Sequence, residues 1–138
     1  MSRTPSEILR DARTIALVGA SPNPARPSNS VMRYLLGQGY DVRPVRPLVR
    51  EVLGVPCVAS LAEIDVPIDL VDVFRRADAC PAVARQAVAV GAKAVWLQLG
   101  LVSPEAQRIV EAAGLDYVED HCTAIVHRGE IATDRPPR

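Results

Sequence analysis

TIALVGASPNPARPS, residues Thr14–Ser28, is the stretch of sequence that decides the fold. Its first part, Ile15–Val18, is an unbroken apolar run, which is typical of a strand buried on both faces. The run stops at Gly19, and a loop of small residues, prolines and Arg26 leads to a helix predicted to begin near Ser28–Asn29. A strand, a tight loop and a helix in this order indicate the first βα turn of a nucleotide-binding α/β fold.

This turn differs from the common dinucleotide fingerprint, because it has one glycine where that motif has three. Gly19 lacks a Cβ, so its backbone can approach a ligand closely. Ser28 and the first amides of the helix can donate hydrogen bonds to phosphate oxygens, with Arg26 in the loop opposite them. The alternative is a purely structural turn that carries a surface arginine.

The remainder of the chain repeats one pattern, in which a helical segment ends at a glycine and a strand begins shortly afterwards, at Gly39, Gly91 and Gly114. This pattern is typical of βαβ units. It predicts strands over residues 14–18, 41–45, 69–73, 94–98 and 115–118. It predicts helices over residues 6–11, 29–38, 78–90 and 104–113, the third capped by Asp78. A short edge piece is expected within Val55–Ser60, and a weak turn near 61–64.

These elements predict an α/β protein with a three-layer Rossmann-like fold. The sheet is expected to be mostly parallel, with five or six strands and helices on both faces. A chain of 138 residues is expected to form one domain over residues 1–138. Its core should span about residues 8–125, followed by a loosely ordered tail over residues 128–138.

The composition narrows the class of ligand. The formal net charge is zero, which gives no electrostatic case for binding nucleic acid or a membrane surface. The odd count of three cysteines, without a C-x-x-C pair, argues against a disulfide framework or a metal site and fits reduced thiols in a cytoplasmic protein. The first residues, MSRTPSEILRDAR, resemble neither a signal peptide nor a membrane span. Fifteen arginines stand against a single lysine, so a few arginines are candidates for gripping phosphate, unless the bias only reflects a solvated surface.

Candidate ligand-binding residues follow the strands, because the carboxyl ends of parallel strands meet at one edge of a sheet. The set of residues at these ends comprises Gly19, Ala20, Ser21, Asn23, Arg26, Ser28, Arg46, Phe74, Arg75, Gln98, Gly100 and Cys122.

Arg46 is the most discriminating of these candidates. Enzymes that prefer NAD place an acidic residue at the end of the second strand to bind the ribose hydroxyls. An arginine there attracts a ribose phosphate instead, so NAD is disfavoured, whereas NADP, coenzyme A and related ligands remain. The other interpretation makes Arg46 an ordinary surface residue.

The later strand ends offer further polar groups. Arg75 and Arg76 are adjacent like charges at a strand end, so either an anion or a neighbouring carboxylate, from Asp72 or Asp78, is expected between them. Adjacent side chains on an extended segment point in opposite directions, so His121 and Cys122 cannot readily share a proton. The sequence therefore contains no evident catalytic set, and Cys122 is better placed to line a ligand site. Trp96 is expected in the core.

Five segments together resemble the small bacterial CoA-binding proteins, a family similar to the CoA-binding domain of the succinyl-CoA synthetase alpha subunit. The resemblance covers residues 8–125 and rests on VGASPNPARPS (Val18–Ser28), YLLGQGYDVRPVRP (Tyr34–Pro47), DLVDVFRR (Asp69–Arg76), GAKAVWLQLG (Gly91–Gly100) and DHCTAI (Asp120–Ile125). Any one of these segments alone would be weak evidence, whereas the set is specific.

The resemblance implies that coenzyme A lies across the strand ends. Its phosphates would meet Ala20, Ser21, Arg26 and Ser28, its nucleotide would lie beside Phe74 and Arg75, and its distal part would lie near Gln98 and Gly100. Relatives usually carry asparagine at the position of Arg46, which is where this chain departs from the pattern. The larger enzymes of the family use a second domain with a phosphorylated histidine and a partner subunit. The resemblance therefore implies binding without the full ligase chemistry in these 138 residues.

The sequence thus predicts a cytoplasmic module that binds coenzyme A or an acyl-CoA, with no catalytic residues and no metal site of its own. A homo-oligomer or a protein partner is left open, as is the question of enzymatic activity. Three alternatives stand beside this prediction: an NADP-dependent oxidoreductase, a nucleotide-sensing regulatory domain that docks on a partner, and an acyl-CoA enzyme that uses Cys122.

Overall fold

The computed structural model describes residues 2–131. In chain order its elements are α1 (Pro5–Asp11), β1 (Thr14–Val18), α2 (Pro27–Gly37), β2 (Asp41–Val45), β3 (Glu51–Val52), β4 (Val55–Pro56), β5 (Leu70–Val73), α3 (Cys80–Ala89), β6 (Ala94–Leu97), α4 (Pro104–Ala112), β7 (Asp116–Val118) and α5 (Thr123–Val126). Two short 3-10 turns, Leu61–Glu63 and Ala77–Ala79, precede β5 and α3, and a π-helical turn, His127–Ile131, follows α5.

Five strands form a parallel sheet in the order β2-β1-β5-β6-β7. The short strands β3 and β4 pair with each other in an antiparallel ribbon, and Val58 adds a single parallel bridge to Val45 at the end of β2. The prediction of a Rossmann-like α/β protein with a mostly parallel sheet is therefore confirmed. The edge piece expected within Val55–Ser60 consists of β4 and this bridge.

Alternating side chains of the central strands fill two separate cores. Ile15 and Leu17 pack on one face of the sheet with α1, α2 and α5, whereas Ala16 and Val18 pack on the other face. The second core is closed by apolar residues of α3 and α4. Helices cover both faces, which explains why the strands carry apolar residues at consecutive positions.

The boundaries of the elements match the predictions closely, with three corrections. Asp78 does not cap α3, because it lies in the preceding 3-10 turn and pairs with Arg76 at 3.5 Å, while α3 begins at Cys80. Helix α5 was not predicted, since four residues are too few for an apolar period. The first residues of the tail expected from Arg128 are helical instead, because Arg128–Ile131 belongs to the turn His127–Ile131 and Ile131 is buried. Residues 132–138 of that tail lie outside the described residues.

Trp96 lies fully buried in the first core, as predicted, and its indole Nε1 donates to the carbonyl oxygen of His121 at 2.7 Å. This bond ties the segment after β7 to the middle of the sheet. Within residues 2–131, no helix combines the length and apolar character that crossing a membrane requires.

Candidate functional site

A cleft of about 1290 Å³ opens at the carboxyl ends of the central strands. Strand β1 lies between β2 and β5, so the chain leaves β1 in opposite directions for its two neighbours. Such a reversal of strand order opens a crevice in which α/β proteins bind their ligands. Ten of the predicted site residues line this cleft: Gly19, Ser21, Asn23, Arg26, Ser28, Arg46, Phe74, Arg75, Gln98 and Cys122.

The loop between β1 and α2 is held by its own side chains. Asn23 Oδ1 accepts a hydrogen bond from the amide of Ala25 at 2.9 Å, and Ser21 Oγ accepts one from the amide of Asn23 at 3.1 Å. Asn29, which is buried in α2, donates from Nδ2 to the carbonyl oxygen of Ser21 at 2.9 Å. These bonds fix the position of the loop against the helix.

Helix α2 begins two residues before Asn29, at Pro27, and Arg26 is its N-cap residue. The side chain of Arg26 makes no capping hydrogen bond, and Pro27 has no amide hydrogen. The amide of Asn29 donates to the carbonyl oxygen of Arg26 at 3.0 Å. Ser28 lies between them in the first turn, lines the cleft and stands at the positive end of the helix dipole. This arrangement is suited to an anionic group.

The packing of the chain requires a glycine at position 19, which the sequence alone did not indicate. Its φ is +88°, and a Cβ built on it would lie 2.1 Å from the carbonyl oxygen of Phe74. The amide of Gly19 donates to the Val45 carbonyl at 2.9 Å, so the residue is clamped between β2 and β5. The missing Cβ thus serves close packing of the chain against itself, in addition to any approach of a ligand.

The charged side chains that line the cleft, among the described residues, are all basic, although the whole chain has a formal net charge of zero. Four arginines line it, namely Arg26, Arg46, Arg75 and Arg76, and the described residues that line it include no aspartate or glutamate. Arg46 Nη1 donates to the carbonyl oxygen of Ala20 at 3.4 Å, which brings its guanidinium from the end of β2 to the β1–α2 loop. Of these four, only Arg76 has a carboxylate partner among residues 2–131, the exposed Asp78. The cleft is therefore electropositive.

A buried polar cluster, Asp72–Gln98–Thr123, lies beneath the cleft. Asp72 is 0% exposed, and its Oδ1 and Oδ2 accept hydrogen bonds from Gln98 Nε2 and from Thr123 Oγ1, the latter at 3.0 Å. Burial raises the pKa of this carboxyl to about 7, and the hydrogen bonds from Gln98 and Thr123 oppose that shift only in part. Sequence reasoning treated Asp72 only as an ion-pair partner for arginine, although an aspartate within an apolar strand is a signal in itself.

The far end of the cleft is apolar. Leu99, Leu101 and Ile125 line it beside Cys122, and the side chains of Leu99 and Ile125 are exposed. His121 is not among the lining residues, and its Nδ1 donates to the Glu119 carbonyl oxygen at 2.6 Å. As expected, the two adjacent side chains therefore differ in their surroundings, since Cys122 lines the cleft and His121 does not.

Two predicted residues do not line the cleft. Ala20 is fully buried in the first core, and its carbonyl oxygen accepts the hydrogen bond from Arg46. Gly100 is exposed, and its amide donates to Asp120 Oδ1 at 2.8 Å. The Gly100 amide is thus engaged within the protein, because Asp120 turns back toward it in a left-handed conformation with φ of 55°.

Comparison of the sequence and the fold with known proteins identifies relatives of this chain. The model of the CoA binding domain family matches residues 13–128. YneT of Bacillus subtilis strain 168 is 41% identical over 121 residues, which is 88% of this chain and 90% of YneT. A solved structure of a hypothetical protein from Pyrococcus horikoshii OT3 has 41% identity and a TM-score of 0.88, covering 92% of each chain.

A more distant relative is an acetate–CoA ligase (ADP-forming) of Archaeoglobus fulgidus. It is 25% identical over 130 residues, which is 87% of this chain but only 19% of the ligase. The likeness is therefore to one region of a much larger enzyme. The resemblance that the five sequence segments indicated is confirmed, and the chain belongs to the CoA binding domain family.

Proposed function

We propose that this protein binds coenzyme A, free or as a thioester, in the cleft at the ends of β1, β2, β5 and β6, and that it has no catalytic set of its own. The observation that carries the proposal is the lining of the cleft, in which four arginines and a helix N-terminus face a space that no described carboxylate lines. Membership of the CoA binding domain family supports the same ligand.

The two kinds of phosphate in coenzyme A have different places in this proposal. The diphosphate lies at the N-terminus of α2, where Arg26 and Ser28 meet it. The ribose phosphate lies near Arg46, whose guanidinium reaches the same loop from β2. Phe74 and Arg75 flank the nucleotide, because both follow β5 next to this loop.

The pantetheine arm runs from there past Gln98 toward the apolar end of the cleft. Cys122 and Leu99 provide a small apolar surface at that end, which fits the thiol of coenzyme A or a short acyl group. The neighbouring histidine, His121, does not act as a base for the Cys122 thiol, because its Nδ1 is hydrogen-bonded to a backbone carbonyl oxygen. Cys122 therefore lines the site in this proposal and is not a nucleophile.

Calorimetric titration tests the proposal with coenzyme A and 3′-dephospho-CoA. We expect wild-type protein to bind coenzyme A at least about tenfold more tightly, since a charge-assisted hydrogen bond contributes about 1.5–3 kcal/mol. Arg46→Gln should remove most of this preference, whereas Arg108→Gln, on the exposed surface of α4, should keep it. Equal affinity of the wild-type protein for both ligands would contradict the placement of the ribose phosphate.

Two further titrations decide between the proposal and its competitors. Absence of a heat signal with coenzyme A at millimolar concentration would refute the proposed function as a whole. Tighter binding of NADPH than of coenzyme A would favour the oxidoreductase that Arg46 also permits. A ligand retained on protein purified from cells, identified by native mass spectrometry, would separate free coenzyme A from an acyl-CoA.

A further inference from the structure

The Asp72–Gln98–Thr123 cluster determines which end of the Gln98 amide faces the cleft. Above its pKa the Asp72 carboxyl is ionised and has acceptors only, so the group that Gln98 turns toward it is then the amide NH₂. Gln98 Nε2 donates both to Asp72 Oδ1 and to Thr123 Oγ1, the second bond measuring 3.0 Å. Both N–H groups of the amide are thereby used within the protein.

The carbonyl oxygen of the same amide is left over. Gln98 is only 5% exposed, and its Oε1 has no hydrogen-bond partner among residues 2–131. No side-chain oxygen or nitrogen that is fully buried in this part of the chain lacks a partner. Gln98 Oε1 must therefore reach accessible space, and the space that Gln98 lines is the cleft. A buried amide with a fixed orientation thus presents a single acceptor to the ligand.

We propose that Asp72 is a positioning residue that holds the Gln98 amide with its oxygen toward the cleft, where the oxygen accepts a hydrogen bond from an amide N–H of the pantetheine arm. This inference rests on the proposed binding of coenzyme A. Outside its nucleotide, coenzyme A carries N–H donors in the two amides of that arm, which matches an acceptor placed between the arginines and the apolar end. Asp72 itself does not touch the ligand, because Gln98 and Thr123 cover its carboxylate.

The experiment compares coenzyme A with adenosine 3′,5′-bisphosphate, which lacks the arm, and uses the ratio of their affinities. Titrations are made at about pH 8, so that the Asp72 carboxyl, with its pKa raised to about 7, is mostly ionised. Asp72→Asn has the same shape but can face Gln98 with either its oxygen or its nitrogen. We expect the affinity ratio to fall about fivefold in this variant, because a fivefold change in affinity corresponds to the loss of about one hydrogen bond. Binding of the bisphosphate should be unchanged.

The double variant Asp72→Asn/Gln98→Glu supplies the rescue. The amide introduced at position 72 then donates to one oxygen of the carboxylate introduced at position 98. The other oxygen of that carboxylate faces the cleft, and the buried cluster keeps its single negative charge. We expect this swap to restore the affinity ratio, which a merely structural effect of the first change would not do. Gln98→Met should lower the ratio as Asp72→Asn does, and Gln107→Met on α4, outside the cleft lining, should leave it unchanged.

The outcomes separate the inference from the function on which it rests. An unchanged ratio in either Asp72→Asn or Gln98→Met overturns the inference while binding of coenzyme A stands. An equal loss for both ligands also overturns it, because the affected contact would then lie on the nucleotide. If Asp72→Asn does not fold, Gln98→Met and the double variant decide together: loss of the ratio in the first and its retention in the second support the inference, and any other result overturns it. Failure of the wild-type protein to bind coenzyme A refutes the proposed function before any variant is compared.

Discussion

Replacing Gly19 by alanine tests the packing of the first turn against β5. Two penalties act there: the left-handed backbone at φ of +88°, and a Cβ placed 2.1 Å from the Phe74 carbonyl oxygen and 2.9 Å from its carbon. The backbone penalty for a residue with a Cβ is about 1 kcal/mol. The clash is with backbone, which cannot rotate away, and relieving such overpacking costs about 1–3 kcal/mol more. We expect Gly19→Ala to lower the free energy of unfolding by about 3 kcal/mol.

Gly100→Ala is the matched control, because Gly100 has the same φ of +88° and a Cβ added to it would meet no atom within 4 Å. It should show the backbone penalty alone, about 1 kcal/mol. Urea unfolding followed by the fluorescence of the buried Trp96 measures both variants. A loss for Gly19→Ala that is no greater than the loss for Gly100→Ala would refute the argument that Phe74 leaves no room for a side chain.

Two further predictions concern the buried polar groups. The pKa of Asp72 is raised from 3.8 to about 7 in the folded state, so its contribution to stability is full below about pH 4 and is lost as the pH rises through 7. Asp72→Asn should remove this decline, seen as a flatter pH profile of urea midpoints between about pH 4 and 8, and an unchanged slope would contradict the assigned pKa. Asn29→Ala should lower the free energy of unfolding by about 2 kcal/mol, because it leaves the buried carbonyl of Ser21 without its donor. It should also weaken binding of coenzyme A severalfold by loosening the first loop; equal affinity measured by calorimetry would show that Asn29 does not hold the loop for the ligand.

Much of the fold could be predicted because its signals are local. The apolar run Ile15–Val18 needs helices on both faces, and Gly39, Gly91 and Gly114 mark the turns from helix to strand through their positive φ. Once the strands are known to be parallel, their carboxyl ends must share one edge, and this places residues as distant in sequence as Arg26 and Gln98 around one cleft.

The sequence by itself therefore determined the fold class, the family and the edge of the sheet at which the cleft opens. Only the tertiary structure decided the roles of Gly19 and Asp72. Asp72 meets partners that are 26 and 51 residues away along the chain, and Gly19 meets a carbonyl at the end of a neighbouring strand. A local pattern records whether a side chain is apolar and how often it recurs, whereas burial and the choice of hydrogen-bond partner depend on which distant segments the folded chain brings together.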